Sequence, residues 1–549
     1  MTIRAKHIHY TGPLTRIAQA TIRLIPTRQE FKALCDCFKP PRNCRSCLCV
    51  WWRTLSLDCR RFLSNLMIGF FVVGLLAIFH NAPVLKQSED AAMDWGIQMR
   101  KGEIPIRSRI PLGWIDIDDK TYLKISEPLY LPRDKLAKLI DFALRSKPRI
   151  VVMDVEFAQR NLKTEVDQPI IDELSEYAEK CKDKPLLSSE ECPPVLLLAS
   201  LRSSFEHYMP EQRCSKPDAI AIAVPPKFQY LSIQRCSRLD KLVADSPHLF
   251  WASPLFEKDI DQLIRRWRML EVVVRESDGR MAVLPSIQLL VSALLDEKEV
   301  AWNKMKMGFS DNTLEKCAYP DGRTSKKDSL DHQEALVRCS IYLWKSYYST
   351  AEAEEEYLSS GRVEQRIHYT IPWQADAPND SASTIPMVTI KGKERLLLSR
   401  IPAYSVLSNT KVKPEEADLR GRVVFIGGSF GDSRDIHATP LGQMPGVLIL
   451  INALHSLLEH EVSHEIGPLY KLVIEIVLIT MLSIAYSLLD SFWSQVVTFL
   501  AVYVIWGGLS IYLFNFGLWL DFAIPLAAIQ FYDLSLDLKE SLMARHHKT

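Results

Sequence analysis

The residues of this sequence best placed to do chemistry are carboxylates at the ends of apolar runs. Asp116, Asp118, Asp154 and Glu156 lie at the ends of WIDI (114–117) and RIVVMDV (149–155), and Arg434, Asp435 and His437 follow RVVFI (422–426). If these runs are neighbouring parallel strands, the residues share the carboxyl edge, where open α/β sheets place ligands. Such a ring could hold a divalent cation through oxygen ligands or bind a polar small molecule. The alternative is loop capping, with Asp435 bonding its own turn and Thr439 and Pro440 fixing the exit.

Residues 427–431 read GGSFG, a G-x-S-x-G directly after a strand, which is the pattern of a hydrolase nucleophile elbow. An elbow requires a helix to start at the serine, yet here a loop continues through Asp435, Pro440 and Pro445. A triad also needs its acid and histidine on separate later loops, whereas Asp435 and His437 are two residues apart. The motif is read as coincidence, and no enzymatic activity is expected.

The twelve cysteines fall into two groups. Cys35, Cys37, Cys44, Cys47, Cys49 and Cys59 lie in a basic N-terminal arm. The first five have thiols close enough to share one soft metal such as zinc, with membrane-proximal acylation or an unligated Cys-rich stretch as alternatives. Cys181, Cys192, Cys214, Cys236, Cys317 and Cys339 lie further on, where an oxidising compartment could join them into as many as three disulfides of undetermined connectivity.

Several elements must position these groups. Pro132 and Arg133 open a helix in which Leu136, Leu139, Ile140, Ala143 and Leu144 recur at three- and four-residue steps. The strands at 114–117 and 149–155 flank it, so the unit should place them parallel in one sheet. Further strands are expected at 195–201, 219–224 and 270–275, and a helix at 286–295. The strand at 422–426 is followed by a helix at 446–458. The fold class is α/β with a largely parallel sheet flanked by helices, and residues 159–194 and 301–395 read as surface insertions.

Residues 63–79 (LSNLMIGFFVVGLLAIF) carry no charge and match the length of a membrane helix. Three later stretches are apolar over a similar length, the last less clearly because Asp521, Pro525 and Asp533 shorten it. Residues 1–62 hold twelve Lys/Arg against three Asp/Glu, a net of +9, which makes them cytoplasmic. The expected organisation is an arm 1–62, a span 63–80, an extracytoplasmic domain 81–467, spans 468–489, 496–516 and 517–535, and a tail 536–549. Because the whole chain is +1, the remainder nets −8, which argues against nucleic acid as a partner. Glu475 in the second span pairs most simply with Lys471 one turn before it.

Two segments at opposite ends of the outer domain resemble the signatures of the CHASE type-two family, the cyclase/histidine-kinase-associated sensory extracellular module. They are AAMDWGIQMR with LGWIDIDDKTYLKI, LPRDKLAKLIDFAL and IVVMDVEF, and GRVVFIGGSFGDSRDIHATPLGQMPGVLILINALHSLLEH. The resemblance implies a sensor of the bacterial inner membrane with a periplasmic domain and one helix before and usually three after it. It covers roughly residues 85–535. The sequence departs from the family in having Pro128-Leu129-Tyr130-Leu131 where a Trp-Pro-Trp-like element is common, and in lacking the usual output domain after the last span. Two functions follow as expectations. One is a sensor, alone or as a homo-oligomer, that signals through a partner subunit; the other is a structural subunit of a larger membrane complex with no small ligand.

Overall fold

The computed structural model describes residues 55–78, 83–99, 110–157 except 129, 166–203 except 187–189, 232–295 except 277–280, 364–373, 387–408 except 391–392, 413–460 and a few positions between 476 and 484. The chain divides into two compact units, residues 1–93 with 464–549, and residues 94–463.

In the first unit, α1 (Leu57–Ile78) starts at Ser56, whose hydroxyl accepts from the Cys59 amide at 3.2 Å, a side-chain cap on the first turn. Asp58, Arg60 and Arg61 occupy that turn, so the uncharged part runs over residues 62–78. At 1.5 Å per residue this is about 25 Å, against a hydrocarbon core of about 30 Å. Among the described residues no helix is long and apolar enough to cross a membrane. A Cβ placed on Gly69 would lie 2.6 Å from Ile479, so the two chain segments approach as closely as a glycine permits. The other three expected spans fall wholly or largely outside the described residues.

The second unit is built on a six-stranded sheet, every pair parallel, in the order β14-β1-β15-β2-β3-β6. Its strands are β1 (Leu112–Ile117), β2 (Ile150–Glu156), β3 (Val195–Leu198), β6 (Leu249–Ala252), β14 (Leu398–Pro402) and β15 (Val423–Gly428). β1 and β2 are parallel as expected, but they are not neighbours, because β15 lies between them. The strand-helix-strand pattern conveys that two strands share a sheet, not which later strand is inserted between them.

Residues alternate between the two faces of each strand. On one face Ile115, Ile117, Val151, Met153, Val424 and Ile426 pack against α4 (Arg133–Arg145), whose Leu136, Leu139, Ile140 and Ala143 are buried. Beside it α5 (Gln168–Cys181) buries Ile170, Leu174, Tyr177 and Cys181 in the same core. Residues 159–194 are therefore not merely a surface insertion. A four-residue apolar spacing within a charged stretch was enough to cover the sheet. On the other face lie α9 (Gly446–His460) and α7 (Ile287–Leu295), which pack together, with every residue of α7 buried. Similarly, residues 364–373 within the second expected insertion hold β11 (Glu364–Arg366) and buried Ile367, Tyr369 and Ile371. The strand at 270–275, β9 (Leu270–Arg275), belongs to a second, mixed sheet of order β10-β9-β5-β4, with β4 (Leu201–Ser203), β5 (Ser232–Gln234) and β10 (Met281–Pro285). The strand expected at 219–224 lies outside the described residues.

Arg422 fastens the amino-terminal edge of the main sheet. Fully buried, it donates from Nη1 to the carbonyls of Leu112 at 3.0 Å and Leu396 at 2.9 Å, and it pairs with Asp418. Cys181 and Cys192 form a disulfide with Cα atoms 5.6 Å apart, tying the end of α5 to the approach of β3. Removing Arg422 strands buried carbonyls. Arg422→Met is expected to lower stability by about 3 kcal/mol, read as a fall in the thermal midpoint of the purified chain. Cys181→Ser with Cys192→Ser, which opens an 11-residue separation, is expected to cost about 3 kcal/mol. Denaturant unfolding under non-reducing conditions would check it.

Candidate functional site

Register places the site. Asp116 is opposite Gly427 on β15, and Gly427 is opposite Asp154 on β2, so the three lie in one row across three strands. With strands spaced about 4.8 Å, the two aspartates stand about 10 Å apart on the face that α9 covers, separated by a residue without a side chain. A Cβ on Gly427 would lie 3.1 Å from both Asp154 Cβ and Val447 Cβ, so the glycine is what lets α9 descend onto the row.

Asp116 is fully buried. Its Oδ2 accepts from Arg400 Nε at 2.7 Å and Nη2 at 2.6 Å and from the Ser429 hydroxyl at 2.9 Å, while its Oδ1 has no hydrogen-bond partner among the described residues. Burial pushes its carboxyl up to about 6, against the opposing pull of Arg400 and then Ser429. The Arg400 guanidinium lies over two indoles, 5.3 Å from Trp114 and 4.8 Å from Trp373. Trp114 in turn donates to the Gly427 carbonyl at 3.3 Å.

Beyond Gly427 the second half begins. Burial first, and then the charge of Asp435, raise the Asp154 carboxyl to about 8. Asp435 precedes the hairpin of β16 (Ile436–Thr439) and β17 (Gly442–Pro445), and its backbone carbonyl accepts the amide of Gly446 at 2.8 Å. A Cβ on Gly446 would fall 2.3 Å from Asp435 Oδ2, so the carboxylate lies directly over the first residue of α9. His437 Nε2 is 2.9 Å from Asp435 Oδ1.

The structure thus groups Asp116 with Arg400, Ser429 and two tryptophans, and Asp435 with His437 over the start of α9, while Asp154 lies beside Gly427. The other expected residues have local roles. Asp118 caps α3 (Asp119–Lys124), accepting from the Thr121 amide at 2.8 Å and hydroxyl at 2.6 Å. Glu156 pairs with Arg235 at 3.0 Å. Arg434 takes left-handed backbone, φ 56°, where the loop turns into the hairpin. Ser429 is followed by a short turn and the hairpin, not by a helix, and its partner is Asp116 instead of a histidine. Among the described residues no group of three or more His, Cys, Asp or Glu could hold a metal ion. Cys35, Cys37, Cys44, Cys47 and Cys49 lie outside the described residues, as do Cys214, Cys317 and Cys339. Cys236 is disulfide-bonded, and so is Cys59 of the basic N-terminal arm.

Arg400, Trp114 and Trp373 escaped the sequence reading. The signal for Arg400 was a single charge within the apolar stretch LLLSRIP, intelligible only once β14 is known to lie beside β1. No curated protein and no solved structure gives a significant match to the sequence. The CHASE2 domain family matches residues 68–488, well over half of the chain. The chain belongs to the CHASE2 family, a family of sensory extracellular domains.

Proposed function

We propose that this protein is a membrane-anchored, non-enzymatic sensor. Its periplasmic domain reads a polar stimulus at the carboxyl edge of the parallel sheet and signals to a partner subunit. The observation that carries the reading is Asp116: a fully buried carboxylate with one oxygen unpartnered, in the row where open parallel sheets bind ligands. Buried polar atoms are nearly always satisfied, and an exception calls for a physical explanation, a bound polar group among them. Family membership supports the sensory role.

Anchoring is supported by α1, which exposes Met67 and Phe71 at 67 % and 70 % of their surface together with Phe70. An exposed apolar face of this kind seeks lipid or another helix. The anchoring spans would be 63–80, 468–489, 496–516 and 517–535, with homo-oligomers formed among them. Neither cofactor nor nucleic acid enters the proposal. Purification of the full chain from native membranes in mild detergent, with mass spectrometry of what co-elutes, tests the reading. A stoichiometric partner bearing a kinase, cyclase or other catalytic domain is expected; partners that are all structural or transport components would make the chain a scaffold instead.

The raised Asp116 pKa has a stability consequence. A carboxyl whose folded pKa lies above its unfolded value of 3.8 favours the native state at low pH, and that advantage is lost as pH rises through about 6. A shift of this size corresponds to about 3 kcal/mol. Asp116→Asn, which cannot ionise, is expected to match the wild type in thermal midpoint near pH 4 and to exceed it at neutral pH. Coincident pH profiles would show that Asp116 does not titrate in this range.

A further inference from the structure

We infer that residues 366–373 form a strap coupling the Asp116–Arg400 pair to α9, with Trp373 and Asn452 at its two attachments. A change at the buried acid then reaches α9. The inference rests on the sensor reading and names the residues that carry a change away from its site.

The strap departs from a sheet. β11 pairs antiparallel with β8 (Ile264–Arg268) as far as Arg366, and the Ile367 amide still donates to the Arg265 carbonyl at 2.8 Å. Beyond that point the backbone belongs to no strand, although Ile367, His368, Tyr369, Thr370 and Ile371 are all buried. Buried amides must find acceptors, and here they find side chains of α9. The His368 amide donates to Ser456 Oγ at 3.1 Å, and the amides of Thr370 and Ile371 donate to Asn452 Oδ1 at 3.0 and 2.8 Å. Asn452 Nδ2 returns a bond to the Ile371 carbonyl at 3.0 Å and holds the Leu448 carbonyl of its own helix at 3.0 Å. One fully buried carboxamide thus offers the strap the donor and the acceptor that a neighbouring strand would.

At the other end Trp373 brings the strap onto the site. Its indole lies 4.8 Å from the Arg400 guanidinium and 5.8 Å from the Trp114 ring, inclined at 49°. Trp114 is fixed in β1, whereas Trp373 goes where the strap goes. The Arg400 side chain is 22 % exposed and keeps room to move, so the indole over it bears on how closely its Nε and Nη2 approach Asp116 Oδ2. The far end is the anchor. Arg366 reaches Asp94 at 3.0 Å and Arg265 reaches it at 2.7 Å, on side chains 10 % exposed or less. Separating buried ion pairs costs more than breaking neutral amide bonds. A displacement of Trp373 therefore passes into Asn452 and α9 instead of past Arg366.

Amide hydrogen exchange of the full chain in mild detergent tests the coupling, with α4 on the opposite face of the sheet as internal reference. Arg400→Gln, which removes charge and stacking together, is expected to speed exchange of peptides from residues 448–458 about tenfold, while residues 133–145 change by less than about twofold. In a Trp373→Leu background the same substitution is expected to add less than about twofold, because the strap is already detached from the site. Unaltered exchange of α9 in Arg400→Gln overturns the strap, and so does equal acceleration of α4 and α9. An undiminished effect in the Trp373→Leu background overturns it too, since the change would then cross the sheet directly. Should Arg400→Gln fail to unfold cooperatively, Arg400→Lys, which keeps the charge but not the stacked fork, replaces it with the same expectation. A coupled α9 in a protein that co-purifies only with structural or transport components would retain the strap and refute the sensor. An uncoupled α9 in a protein bound to a catalytic partner would do the reverse.

Discussion

The insertion of β15 between β1 and β2 is the constraint on which the rest of the structure depends. β15 pairs with β1 from Leu112 to Ile117 and with β2 from Ile150 to Gly427's partner Asp154, so one strand fixes the register of both. A one-residue slip would turn Asp116 and Asp154 into the α4 core and send Ile115 and Met153 to the α9 face. Apolar burial on two faces therefore enforces the register, and the alignment of the two aspartates with Gly427 follows from it. Arg422, at the foot of the same strand, satisfies the carbonyls of its neighbours from beneath and makes the register costlier to lose.

The electrostatics of the site follow from the same placement. β14 sets Arg400 opposite Trp114, two residues before Asp116 on the same face, so the guanidinium reaches one oxygen of the buried carboxylate and stacks on the indole. Stacking and pairing use the flat cation in a way a lysine could not. Yet Arg400 compensates only part of the burial, and Asp116 stays easier to protonate than a solvated carboxylate. Across Gly427, among the described residues, no equivalent cation pairs with Asp154. The two ends of the row therefore differ in kind, one an ion pair and the other an acid that burial makes easier to protonate.

Much of this was legible in the sequence because it is local. The stripe Leu136, Leu139, Ile140 and Ala143 gives α4, the run RVVFI gives β15, and Gly446 to Leu458 gives most of α9. Asp116, Asp154 and Asp435 were legible as residues at strand ends, although Asp118 is a cap and Glu156 an ion pair. What was not legible depends on which distant segments meet. Nothing near 114–117 says that its neighbours come from residues 398–402 and 423–428, so Arg400 and Ser429 could not be assigned to Asp116. The buried side of α5 was obscured by its charged face, and the segment 364–373 by the polar stretches around it.

That last segment joins parts of the domain that the sheet does not. At its start Arg366 pairs with Asp94 on α2 (Pro83–Met99) at 3.0 Å, and Arg265 holds the other oxygen of Asp94 at 2.7 Å. In its middle the His368 amide bonds Ser456, and the amides of Thr370 and Ile371 bond Asn452, both on α9. At its end Trp373 lies over Arg400. Ten consecutive residues thus touch the helix that enters the domain, the helix that leaves it and the guanidinium paired with the buried acid. These bonds have different tolerances. A buried ion pair between Asp94 and two arginines is costly to separate, whereas single amide bonds to Asn452 and Ser456 are each worth about 1 kcal/mol. A shift of α9 would therefore be taken up first along the amide contacts, with the Asp94 end as the fixed point.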